Sequence, residues 1–145
     1  MSFHPFAAAL AVAAVSGAFA AQAEAPAAAG VAPMLSASSE QLSMSAAGGA
    51  PAHRALTITA PATGPAGALN VTLGRTGGTL GQLAIDKDSC SGATLAASQS
   101  CRLALHFDSS CPSAETSSWV LLVTGTSAEP VAIPVTGKSE GGDCK

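Results

Sequence analysis

The stretch "DSCSGATLAASQSC", Asp88 to Cys101, holds two of the four cysteines of the chain, with ten small or polar residues between them. "RLALHF" follows at once, alternating apolar side chains with others. Period-two alternation marks a strand with one buried face. It sets Cys101, Leu103, Leu105 and Phe107 on one side and Arg102, Ala104, His106 and Asp108 on the other. Just upstream, "LGQLAID" brings Leu83 and Ile85 onto one face. The two cysteines therefore lie between two strands. Whether they serve a metal, a nucleophile or a cross-link decides what kind of domain this is.

The same texture extends both ways. "RALTITA" pairs Leu56 with Ile58, and "ALNVTLG" aligns Leu69, Val71 and Leu73. "SWVLLVTG" sets Trp119 with Leu121 and Val123, and "PVAIPVTG" sets Val131 with Ile133 and Val135. Pro134 has no N–H for a ladder, so that last strand must lie at an edge or present the position outward. "MLSASSEQLSM", with Leu35, Leu42 and Met44, fits a short kinked edge strand. "GGAPAH", "PATGPAG" and "RTGGT" are turns, "DSSCPSAETS" is a loop, and "KSEGGDCK" is a tail. About seven short strands between Gly, Pro and Ser turns, with no amphipathic helix, predict an all-β, immunoglobulin-like antiparallel sandwich.

The N-terminus has a different character. "FAAALAVAAVSGAFAAQA" reads as the apolar core of a signal peptide, cleaved after Ala20 or Ala23, although "MSFHP" lacks Lys and Arg. Residues 24–33 form an Ala/Pro leader, 34–138 the sandwich and 139–145 a tail. No second apolar run is long enough to span a bilayer, so no transmembrane segment is expected in the mature chain. The expected location is periplasmic or secreted.

Composition narrows the function. Of 145 residues, 10% are charged and 3% aromatic, with one Trp and no Tyr. A net charge of −3 without a basic patch argues against a nucleic-acid partner. The four cysteines, Cys90, Cys101, Cys111 and Cys144, lack the close pairs of a structural zinc site, and an exported chain favours disulfides. Three pairings are open. No G-x-S-x-G elbow is present. Cys111 stands near Asp108, which does not favour a thiolate. Asp86 and Asp88 lie two apart near a strand end and by themselves make at best a weak calcium site. His53 and His106 read as surface histidines. "NVT" at Asn70 matches a glycosylation sequon. No catalytic residue, cofactor or metal is expected. Trp119 reads as a core or rim residue, with partner contact as the functional alternative.

The cysteine segment also carries a resemblance. "LAIDKDSCSGATLAASQSCRLALHF" resembles the motif FxIxxDxCSGxTLAxGxSCxVxVxF of bacterial secreted domains of the choice-of-anchor D type. These belong to the immunoglobulin-like ASH group, named for the ASPM and Hydin proteins. "VAIPVTGK" is similar to the closing strand of that family and "LSASSEQLSM" to its opening one. Ser98 stands where the family has Gly, and Cys111 and Cys144 are additions. The resemblance implies a Cys90–Cys101 disulfide, which leaves Cys111 and Cys144 for each other. It implies an exported, non-catalytic module with a structural or adhesion-type interaction role at or outside a bacterial cell. The partner would be another protein or, through edge strands, the chain itself. The alternative is a self-assembling fibre or pilus-like subunit that donates its segment up to Met44 to a neighbour.

Overall fold

A computed structural model describes residues 32–109 and 113–141. The signal segment, most of the leader, Cys111 and Cys144 lie outside the described residues. Among the described residues there are nine strands: β1 (Ser36–Ala37), β2 (Leu42–Ala46), β3 (Ala52–Thr59), β4 (Gly67–Gly77), β5 (Gln82–Asp88), β6 (Thr94–Leu95), β7 (Ser100–Asp108), β8 (Ala114–Gly125) and β9 (Val131–Glu140). They form two sheets, in the orders β1-β3-β7-β5 and β2-β9-β8-β4-β6. All pairs are antiparallel except β2 with β9. The fold is an immunoglobulin-like sandwich.

The inward residues of the alternating runs make the core. Leu56, Ile58, Leu105, Phe107, Leu121, Val123, Ile133 and Val135 are all fully buried. Phe107 meets Trp119 edge-on, with ring centroids 5.7 Å apart. Room for this aromatic pair comes from two glycines. A Cβ on Gly81, whose φ is +73°, would stand 2.5 Å from the Phe107 ring, and one on Gly137 equally close. An L-residue is disfavoured at such a φ even without the clash.

The structure revises the strand boundaries in four places. The segment from Met34 to Met44 is two strands, not one kinked strand. β1 pairs with β3 in one sheet; the chain then crosses to the other sheet, where β2 runs parallel to β9. "DSSCPSAETS" and "KSEGGDCK" are not wholly loop and tail, because Ala114–Ser118 pairs with Thr136–Glu140. The inward positions there are Ser117 and Ser139, both fully buried, which hides the alternation. Each hydroxyl donates to a loop carbonyl, Ser117 to Leu80 at 2.6 Å and Ser139 to Ser113 at 3.0 Å. This removes the cost of burying them. β4 continues into "RTG", to Gly77, by means of a bulge between Arg75 and Gly77. β6, inside the cysteine segment, is only two residues long.

Pro134 is exposed on β9, which is not an edge strand. It pairs with Val120, and the pairing with β2 begins one residue later, at Val135.

Candidate functional site

The segment from Asp88 to Cys101 is a structural turn. A disulfide joins Cys90 and Cys101, with Cα atoms 5.2 Å apart. Asp88 Oδ1 accepts the N–H groups of Cys90 (2.7 Å) and Ser91 (2.8 Å), and Oδ2 accepts the Ser91 hydroxyl. Partial burial alone would raise the Asp88 pKa. The bonds from Ser91 and Cys90 outweigh it and hold the carboxyl below its usual value. The connection also reaches the other sheet. Gly92 N–H donates to Leu69 O at 2.8 Å, and β6 pairs with the start of β4. Asp88 is thus committed to the turn. Ser98, at the family's glycine position, has φ +63° and is the one non-glycine residue with positive φ among those described.

The opposite end of β5 is held by polar clamps. Arg75 donates to the carbonyls of Gly78 and Leu80, both at 3.3 Å, and of Gly81. Its guanidinium lies over the Trp119 ring, 4.8 Å from the centroid. Glu115 accepts the N–H groups of Thr79 (2.6 Å) and Leu80 (3.4 Å). These N–H bonds, the Thr79 one foremost, lower the Glu115 pKa, with the Arg75 charge adding to them. The loop between β4 and β5 is therefore fixed without a covalent link. Trp119 is 4% exposed, so a partner on this side meets Arg75 first.

Between β4 and β5 the two sheets part. A groove of about 330 Å³ opens there, with Leu73, Arg75 and Trp119 on one side and Leu83, Ala84 and His106 on the other. Among the described residues, both bordering strands carry free edges. β5 ends its sheet, and β6 covers only Gly67 and Ala68 of β4. Unpaired backbone groups on both sides of a groove with Leu and Trp in its walls are what an added extended strand requires. Asn70 and Thr72 of the sequon are exposed on β4.

A second cluster lies on the outer face of the four-stranded sheet. His53 on β3 is the register partner of His106 on β7. A bulge between Ile85 and Lys87 on β5 falls at Asp86. Asp86 is hydrogen-bonded to His106 Nδ1 and lies 3.4 Å from His53 Nδ1. His106 Nε2 is 3.2 Å from Asp108. The two histidines, separate in sequence, are therefore one group with two carboxylates, and Asp86 parts company with Asp88. Only the β3–β7 register and the bulge bring them together, and alternation within one strand carries neither.

No family model and no curated protein matches the chain. Solved structures do. The ASH/PapD-like domain 7 of human CEP192 superposes with a TM-score of 0.51 at 8% identity, covering 75% of this chain and 87% of that one. The fold is ASH/PapD-like. VesC, a secreted serine protease from Vibrio cholerae, gives a TM-score of 0.54 at 18% identity over 73% of this chain. VesB, a protease of the same organism, matches 72% of it at 15% identity with a TM-score of 0.45. The chain spans 23% of VesC and 32% of VesB. At such identities the likeness to the CEP192 domain and to VesC is one of fold alone. Among the described residues, no helix is long and apolar enough to cross a membrane.

Proposed function

We propose that this chain is an exported, non-catalytic immunoglobulin-like module with a structural or adhesion-type interaction role at or outside a bacterial cell surface. The observation that carries the reading is the β4–β5 flank, where two free sheet edges border one groove. A protein partner adds an extended strand there, and Arg75, whose guanidinium covers the buried Trp119, forms part of the contact. The Cys90–Cys101 bond supports an oxidising compartment, because such bonds are rare where thiols are kept reduced. The cysteine-segment resemblance to choice-of-anchor D domains supports a bacterial surface setting. Cys111 and Cys144 form the second bond in this reading, and Ala20 or Ala23 ends the signal peptide.

The fibre alternative requires donation of the segment up to Met44. That segment is built into its own sandwich here, with Leu35, Leu42 and Met44 buried at 2%, 8% and 3%. Exchange would bury the same three side chains in the neighbour, so their release, at about 1.5–3 kcal/mol each, is a barrier to assembly rather than a net cost.

A photo-crosslinking residue at Thr72, on the free edge of β4, tests the reading in the producing cells. The module reading expects adducts with one recurrent protein from Thr72, none from Ser43 on β2, and chain recovered outside the cytoplasm. Cytoplasmic chain with free thiols at Cys90 and Cys101, or equal labelling from both positions, would refute it. A detergent-resistant ladder of this chain alone would move the reading to the fibre.

A further inference from the structure

The outer face of the four-stranded sheet carries a depression of about 330 Å³ near the disulfide. Ala55 of β3 and Ala104 of β7, register partners with short side chains, make its floor. The long side chains of Lys87 on β5 and Arg102 on β7 rise beside it, both exposed. Regular alternation would not put Lys87 there. Asp86 already faces His106 on this side of the sheet, and the next residue of a regular strand points the other way. The bulge between Ile85 and Lys87 keeps both residues outside.

Neither cation is neutralised among the described residues. The ion pairs there join Asp86 and Asp108 to the two histidines, and Lys138 to Glu140. Asp88, beside Lys87 in the chain, is committed to the turn by Cys90 and Ser91. Lys87 is the register partner of Ala104, which makes Arg102 its diagonal neighbour. Diagonal neighbours have Cβ atoms about 7–8 Å apart, within reach of two long side chains. Two like charges at that spacing repel, and an anion between them is attracted by both.

We propose that Lys87 and Arg102 bind the carboxylate of a small organic acid whose apolar body lies on Ala55 and Ala104. The Arg102 guanidinium offers a planar fork that matches both carboxylate oxygens, and Lys87 adds a point charge. An apolar surface with a few convergent charged groups is how small-ligand sites are commonly built. A peptide fits this face less well. The backbone of β7 is paired on both sides, with β3 and β5, and leaves no N–H or C=O for a further chain.

The backbone under the site is held in place. Ser89 Oγ donates to the Arg102 carbonyl at 2.9 Å and accepts the Arg102 N–H at 2.8 Å. The next residues, Cys90 and Cys101, are joined by the disulfide. Arg102 therefore starts from a fixed backbone, which lowers the ordering cost of binding. The depression shares no lining residue with the β4–β5 groove, and the site does not depend on the interaction reading.

The test is titration of the full-length chain with benzoate at neutral pH, followed by amide NMR shifts. Saturable shifts centred on Ala55, Lys87, Arg102 and Ala104 are expected in the millimolar range. Lys87→Gln and Arg102→Gln should each weaken binding about fivefold or more, the arginine variant the more. Ala55→Leu fills the floor without changing charge and should weaken it as much. Lys138→Gln, on the other sheet, should change nothing. Acetate has the charge without the ring and benzyl alcohol the ring without the charge, so each should bind about tenfold more weakly than benzoate. No saturation by about 10 mM benzoate, or shifts centred elsewhere, would overturn the proposal. So would a titration that Arg102→Gln leaves untouched, or acetate binding as tightly as benzoate. Ala55, Lys87 and Arg102 are all exposed, so these variants keep the fold and the outcome is decided by binding.

Discussion

The two ends of β5 are fixed by different means. At one end Cys90 and Cys101 join the turn after β5 to the start of β7, eleven residues on, by a covalent bond. At the other, Arg75 and Glu115 hold the loop before β5 through hydrogen bonds to its backbone. The first device is local, and its spacing is visible in the chain. The second joins residues up to 36 apart, as Glu115 and Thr79 are, and exists only once β4 lies beside β8. The covalent end acts mainly by restricting the unfolded chain. The polar end acts only in the folded state, by tying backbone groups of the largely exposed loop to the strands beside it.

Breaking each end separates the two. The largest loss is expected for Gly81→Ala at the polar end. It combines a disfavoured φ with a Cβ 2.5 Å from the Phe107 ring, for about 3–4 kcal/mol in a urea titration. Removing the disulfide by Cys90→Ser with Cys101→Ser should cost about 2–3 kcal/mol. Arg75→Met should cost about 1–2 kcal/mol, since the Trp119 contact and the carbonyl bonds go together, and Arg75→Lys should recover only part of it. If Lys recovers everything, charge alone holds the loop and the clamp geometry is irrelevant.

Smaller effects sharpen the picture of the covalent end. The folded-state pKa of Asp88 is lowered, so its contribution is complete above the unfolded carboxylate value of about 3.9. It disappears as pH falls through the lower folded value. Asp88→Asn should therefore lower the urea midpoint at pH 7, and the gap from wild type should shrink below about pH 4. A gap that stays constant to pH 2 would mean the carboxylate charge does not hold the turn. The smallest change, of opposite sign, is Ser98→Gly. It relieves a positive φ and should stabilise the chain by about 0.5–1 kcal/mol after the entropy cost of glycine.

The fold was largely legible because its core positions repeat within single strands. Leu56 with Ile58, and Cys101 with Leu103, Leu105 and Phe107, need only period two. Where the inward residue is Ser117 or Ser139, the period fails, and strand reads as loop or tail. Ser38 to Gln41 gives no sign that the chain changes sheets there. The candidate sites were less legible because both are made by registers. The free edges at the groove follow from the strand order, and the His53–His106 pair follows from how β3 lies on β7.

The measurement that bears most directly on the proposal of a stapled, exported module is non-reducing peptide mapping of the chain recovered from outside the cytoplasm, with native mass on the same sample. A linked Cys90–Cys101 peptide, a linked Cys111–Cys144 peptide and a monomer are the expected result. Alkylation of Cys90 and Cys101 without prior reduction would contradict it.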